Sequence, residues 1–294
     1  MSEFLKKIVA FFTAIFAFVA SLFGVNPEPT KKTDLDLSKF ELVWSDEFDG
    51  DAVDGSKWEI QRKTSVIRGG YWNTDLAEVK NGELTIYAKY LENGVNEGDP
   101  AGWYSARLRT KDRYEPTYGY YEVRCKVPKG YGLWSAFWMQ NLESAMNEYE
   151  DSSKGSEIDI FEAPYYGKEN PDSIQNAIHW GGYAEKHKSL ATGPIAVDAD
   201  IYNTYNTYGL EWNENEYIFY FNGTIINRWD KNDLLPSQTA EFLILTIEMN
   251  GADGVPQNGW AVGTVEDNGR DFVGEFNIDY VRHYQYKKAG LTKG

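Results

Sequence analysis

The chain has 294 residues, with 29 Lys+Arg against 45 Asp+Glu, a formal charge of −16 at neutral pH. That balance argues against a nucleic-acid binder, whose affinity comes largely from Lys and Arg on phosphates. Cys125 is alone, which excludes an intrachain disulfide and a thiolate metal cluster, and the three histidines, His179, His187 and His283, are too scattered in sequence to read as a zinc site. Aromatics make up 16% of the chain, with 10 Trp and 21 Tyr. Such richness suits a β-rich core, a surface that stacks on sugar rings, or both.

Lys6 and Lys7 precede an apolar run from Ile8 to Val25, broken only by Thr13, Ser21 and Gly24. A basic flank before an apolar run is the layout of a secretory signal, with small residues at Val19-Ala20-Ser21 for cleavage. The run is also near the lower limit for a membrane span. Residues 1–25 therefore read as a signal peptide or an uncleaved anchor, and either puts the rest of the chain outside the cytoplasm, secreted or held at the surface. Residues 26–39 are polar, carry Pro27 and Pro29, and read as a linker.

From Phe40 the pattern alternates with period two. Leu84, Ile86 and Ala88 alternate with Thr85, Tyr87 and Lys89, and Tyr121, Val123, Cys125 and Val127 share one strand face. Tyr217–Phe221 and Thr224–Trp229 flank Asn222-Gly223, a two-residue hairpin signal. Phe242–Met249 and Phe276–Tyr286 are further strand candidates. Many strands without long amphipathic helices predict an all-β protein, an antiparallel sandwich or barrel. With no internal repeat and no second linker, one domain spans residues 40–286, and 287–294 read as a tail.

Glu157-Ile158-Asp159-Ile160-Phe161-Glu162 sets three carboxylates within six residues. In a regular strand Glu157 and Asp159 share a face while Glu162 turns into the core, where an unpaired carboxylate is costly. One extra residue near Ile160-Phe161, a β-bulge, brings Glu162 to the same side as Glu157 and Asp159. Crowded carboxylates split in protonation, which leaves an ionised nucleophile beside a protonated acid, the requirement for glycoside hydrolysis. The alternative is an edge strand with solvated acids.

Sequence context weighs on that choice. Leu42-Val43-Trp44-Ser45-Asp46-Glu47-Phe48, Tyr104–Lys111, Tyr118–Arg124, Gly132–Trp138, Glu157–Glu162 and Ile278–Arg282 follow one another in order over most of the chain. Together they resemble glycoside hydrolase family 16 in its laminarinase-like branch, an endo-β-1,3-glucanase group, with the bulged spacing of the last acid. The resemblance implies a jelly roll of two curved antiparallel sheets with an open cleft on the concave face. It also implies that Glu157 is a nucleophile forming a glycosyl-enzyme intermediate. Glu162 would be the general acid and then base, and Asp159 a hydrogen-bonding partner of the nucleophile.

Trp134 and Trp138 fall on one strand face, and the resemblance assigns both to the cleft, against core packing as the alternative. Arg107 and His179 also match cleft positions; a salt bridge and a hydrogen-bonded strand histidine are their other readings. Trp72 and Asn73 match a loop that meets the glycan, or else form a turn. Glu248 adds an acid near the cleft, where it would bind a sugar hydroxyl and repel acidic polymers, or it is an edge-strand charge. Glu47, the Gly82 carbonyl and Asp279 match a structural Ca²⁺ site of the family, with solvated strand ends as the alternative.

These readings converge on a retaining endo-β-glycosidase without an organic cofactor. It would act as a monomer on a neutral polysaccharide, first a laminarin-like β-1,3-glucan. An endo-β-galactosidase acting on galactans or host glycans is the competing enzyme. A catalytically inactive carbohydrate-binding protein on the same scaffold is the competing class.

Overall fold

The computed structural model describes residues 33–68, 70–142, 149–255, 257 and 261–287. The apolar run of residues 1–25 and the first part of the linker lie outside the described residues, so the signal-or-anchor reading meets no structure. Chain contacts divide the protein into Met1–Asp34 and Leu35–Gly294, and the fold below is that of the second unit.

The first nine strands are β1 Phe40–Asp46, β2 Ser65–Ile67, β3 Gly70–Trp72, β4 Ala77–Lys80, β5 Glu83–Leu91, β6 Gly102–Ser105, β7 Arg107–Arg109, β8 Gly119–Lys126 and β9 Leu133–Gln140. The rest are β10 Glu157–Ala163, β11 Ser173–Trp180, β12 Lys188–Ala191, β13 Ile195–Ala196, β14 Asn206–Trp212, β15 Glu216–Phe221, β16 Thr224–Asp230, β17 Phe242–Met249 and β18 Val273–Tyr286. They form two sheets. The larger runs β16-β15-β14-β8-β18-β5-β6-β3-β2, with β1 on β18 and β4 on β5. The smaller runs β12-β11-β10-β9-β17-β7, with β13 on β11. Neighbours in sequence are often not neighbours in space, the signature of a jelly roll rather than a meander.

The period-two pattern buries as expected. On β5, Leu84, Ile86 and Ala88 are fully buried, and on β8 so are Tyr121, Val123 and Cys125. Asn222 and Gly223 take φ of 47° and 73°, the paired positive values a type I′ hairpin needs to match strand twist. Between the sheets, Phe161 of β10 stacks on Tyr208 of β14 at 4.0 Å and meets Phe276 of β18 edge-on at 6.3 Å. Burying such side chains stabilises the sandwich by about 1.5–3 kcal/mol each.

The end of the expected linker is built onto this unit. Leu37–Lys39 forms a 3-10 turn that Asp36 caps by accepting from the Ser38 amide. Leu35 donates its amide to the Gly223 carbonyl at 3.0 Å and packs beside Phe40, Tyr120, Ile218 and Tyr220. At the other end Lys287 donates its amide to the Lys39 carbonyl at 2.9 Å.

Candidate active site

Strands β7, β9, β10, β11 and β17 turn one face to the core and the other to a cleft of about 530 Å³. Glu157, Asp159 and Glu162 line it together with Trp134, Trp138, Arg107, His179, Trp72 and Glu248. The bulge is the reason that Glu162 belongs to the set. Against β9, Asp159 faces Trp138 and Phe161 faces Phe137, so Ile160 is the extra residue. The shift sends Phe161 into the core and turns Glu162 outward. Strand β10 lies between β9 and β11, which removes the edge-strand reading of the acids.

Each acid is held differently. Glu162 accepts the Trp134 indole N–H at 2.7 Å and the Gln175 side-chain amide at 2.8 Å. Tyr165 in turn donates its hydroxyl to the Gln175 carbonyl oxygen, which fixes the amide with its NH₂ toward Glu162. Glu157 accepts from the Tyr183 hydroxyl and, at 3.4 Å, from Gln140. Asp159 is 4% exposed and its Oδ2 lacks a hydrogen-bond partner among the described residues. Burial pushes all three carboxyls up to about 8, and neighbouring carboxylates add to it: Asp159 beside Glu157 and Glu162, Glu248 beside Asp159. The site therefore retains protons near neutral pH.

Around the acids, Trp138 donates its indole N–H to Thr246 at 3.0 Å. His179 stands opposite Glu157 on β11, with Nε2 3.3 Å from Asp159 Oδ2 and Nδ1 3.0 Å from His187 Nε2. Arg107 lies 4.7 Å over the Trp72 ring and donates to Gln61 at 3.0 Å; burial and then Arg109 lower its guanidinium to about 10. Glu248 is paired with Arg68 at 3.0 Å, and burial raises its carboxyl. On β17 Glu248 pairs with Trp134 of β9, while the pairing with β7 ends at Thr246.

Two expectations need correction. Asn73 is 1% exposed and does not line the cleft. Its side chain caps the 3-10 turn Thr74–Leu76 by accepting from the Asp75 amide, and donates to the Arg62 carbonyl at 2.8 Å. An Asn in that role satisfies a turn's free amide, so it is not left for a ligand. The Ca²⁺ set does not fit either. Glu47 takes a two-pronged pair from Arg282 at 2.9 and 2.7 Å, and Asp279 takes Arg124 at 2.6 Å. Gly82, at φ 76° after Asn81 at 55°, closes the β4–β5 turn. With each carboxylate already neutralised by its own guanidinium, these three residues do not form a cation cage.

Several lining residues went unread in the sequence. Gln175 and Ala177 precede His179 at period two, and Ala136 and Gln140 belong to the Trp134–Trp138 face, so alternation alone could have found them. Thr246 likewise shares the face of Glu248. Tyr183 and His187 come from the loop after β11, where no periodic signal exists. That loop begins at Gly181, φ 79°, where an added Cβ would sit 2.2 Å from the Lys186 carbonyl oxygen.

A sandwich with a cleft across one sheet, floored by three crowded carboxylates and walled by indoles, defines a carbohydrate-active β protein. Residues 40–286 match the family model described as "Beta-porphyranase A-D, GH16 domain", so the chain belongs to glycoside hydrolase family 16. It is 26% identical over 279 residues to a glucan endo-1,3-beta-glucosidase A1 of Niallia circulans, covering 86% of this chain and 39% of that protein. It is 27% identical over 261 residues to a keratan-sulfate endo-1,4-beta-galactosidase of Sphingobacterium multivorum, covering 86% of this chain and 57% of that one. The chain thus spans less than two thirds of the length of both relatives. Among solved structures it is similar to the laminarinase catalytic domain of Thermotoga maritima, with a TM-score of 0.64 and 25% identity, covering 85% of this chain and all of the other.

Proposed function

We propose that the chain is a retaining endo-β-glycosidase that hydrolyses internal bonds of a β-glucan, β-1,3-linked first, by double displacement. The observation that carries this reading is the bulge in β10, which turns Glu157, Asp159 and Glu162 into one cleft. In the form with Glu157 ionised and Glu162 protonated, Glu162 donates its proton to the glycosidic oxygen while the Glu157 carboxylate attacks the anomeric carbon and forms a glycosyl ester. Glu162, now ionised and held by Trp134 and Gln175, takes a proton from water as that water opens the ester. Asp159 keeps the second proton of the crowded set close to Glu157 and damps repulsion between the acids. Two inversions at one carbon retain configuration. Trp134 and Trp138 offer ring faces to the sugars on either side of the bond.

The glucan preference rests on the relative from Niallia circulans and on the laminarinase neighbour. A second reading, an endo-β-galactosidase, is favoured by the description of the matching family model and by the keratan-sulfate relative. Arg68 and Arg107, both at the Trp72 side of the cleft, would suit a sulfated galactan in that case. The protein works outside the cytoplasm as a single chain, secreted or anchored through residues 1–25.

The test is incubation of the purified chain from Asn26 onward with laminarin, mixed-linkage glucan, agarose and sulfated or mucin-type galactans, followed by assay of new reducing ends. Release from laminarin, with the β-anomer first in proton NMR and abolition by Glu157→Gln, is expected. Release from galactans alone moves the substrate to the second reading. Retention of glycan without any cutting would leave a binding protein and sink the enzymatic reading.

A further inference from the structure

We propose that the cleft floor is also a site for one borderline divalent transition ion, of the Zn²⁺ or Co²⁺ class, ligated by Glu157, Asp159 and His179. Among the described residues, one ligand atom from each of these three lies within 4.8 Å of the other two. His179 Nε2 is 3.3 Å from Asp159 Oδ2 and 3.9 Å from Glu157 Oε1. Ligands about 2.0–2.1 Å from a tetrahedral ion stand about 3.3 Å apart, so the set is within a small side-chain adjustment of that geometry. Sequence spacing hides it: His179 is brought to Glu157 only by the β10–β11 pairing.

Three further features point to an ion. Asp159 Oδ2 is buried without a hydrogen-bond partner among the described residues, although His179 Nε2 is close. A buried carboxylate oxygen without a hydrogen bond is chemically suited to serve as a metal ligand. His179 Nδ1 meets His187 Nε2 at 3.0 Å, and with Nδ1 as the donor of that bond Nε2 turns its lone pair to the carboxylates when an ion lies between them. That is the tautomer a metal-bound imidazole adopts, with its other nitrogen donating to a neighbour. Finally, the Tyr183 hydroxyl occupies Glu157 Oε2, which leaves Oε1 for the ion. All three ligands come from paired strands rather than loops, so the site is preformed.

One imidazole with two carboxylates selects against Ca²⁺ and Mg²⁺, which take all-oxygen shells of six or more ligands. The open side of the cleft supplies the fourth position. For the glycosidase reading, on which this consequence rests, the ion occupies the carboxylate that must attack the sugar. Ion and glycan then exclude one another, and a transition ion holds the enzyme in a reversible off state.

The experiment is titration of the untagged chain with ZnCl₂ by calorimetry and with CoCl₂ by visible absorption, with circular dichroism to confirm that each variant is folded. One ion per chain and the intense bands of four-coordinate Co²⁺ are expected, with no uptake of CaCl₂ or MgCl₂. Asp159→Asn and His179→Gln should each abolish uptake, and His187→Ala should weaken it by about 10–100-fold. Unchanged uptake in folded Asp159→Asn and His179→Gln would place the ion elsewhere and overturn the site. Glycan release that is slowed by Zn²⁺ and restored by a chelator supports the exclusion, and release indifferent to saturating Zn²⁺ overturns it. A chain that cuts no glycan yet titrates with one ion overturns the glycosidase reading and keeps the site.

Discussion

Trp134 donates its indole N–H to Glu162 Oε1 at 2.7 Å, and this one bond joins the cleft wall to the acid it serves. A donor to a carboxylate favours the ionised form and opposes the rise caused by burial. Trp134→Phe keeps a ring for sugar stacking and removes the donor. The Glu162 pKa should rise, so the alkaline limb of kcat/KM against pH should move to higher pH with KM little changed. Trp134→Ala should instead raise KM, because the platform itself is lost.

Tyr165 acts one bond further away. Its hydroxyl orients Gln175, and Gln175 donates to the second oxygen of Glu162. Tyr165→Phe should shift the alkaline limb in the same direction as Trp134→Phe, by a smaller amount. Unfolding should become easier by about 0.5–1.5 kcal/mol, the net worth of one hydrogen bond. A stability loss without any movement of the pH profile would make Tyr165 a packing residue only.

Glu162→Gln removes the proton donor and preserves shape. Hydrolysis of an unactivated glucan should fall by about 10²–10⁴-fold, the usual contribution of a general acid. An aryl glycoside with a good leaving group needs less protonation and should lose far less in its first step. Pre-steady-state release of the aryl group measures this, and equal losses on both substrates would remove Glu162 from the acid role.

The raised carboxyls set a pH dependence of stability. Asp159 ionises near 3.8 when unfolded and only near 8 when folded, chiefly through burial and then through Glu248. The folded state therefore holds the extra proton between those values, and stability falls as pH rises from 3.8 to about 8. Asp159→Asn removes that loss. Thermal melts should show a gain at pH 9, about 2–4 °C for each kcal/mol recovered, and no gain at pH 3.

Glu47 and Asp279 each hold an arginine, Arg282 and Arg124, where a calcium shell would need free carboxylates. Exhaustive dialysis against a chelator should leave the melting temperature unchanged. Arg282→Gln should lower stability by up to about 1 kcal/mol, since the pair is partly exposed. A fall in melting temperature on chelation, restored by CaCl₂, would show that the arginine pairs yield to an ion.

Much of this was legible in the residues. Alternation placed β5 and β8, and Asn222-Gly223 announced its hairpin, because a two-residue I′ turn and a strand with one core face depend on local sterics and on neighbours along the chain. The cost of burying Glu162 pointed to a bulge near Ile160-Phe161, and the register of β10 against β9 has Ile160 as the extra residue. Asn73 was misread because a capping Asn and a ligand-binding Asn look alike until the amide it accepts from is known. Tyr183 and His187 carried no signal because loop residues obey no period.

By itself, the sequence determined the all-β class, the family resemblance and the short segment that carries the acids, since each depends on neighbours along the chain. Only the tertiary structure decided which side chains share the cleft. Glu157 meets His179 across a strand pair, and Glu162 meets Trp134 and Gln175 from strands on either side. It also gave Glu47 and Asp279 to arginines distant in sequence. Such pairings follow from strand order and register, and these come from the closing of the whole sandwich.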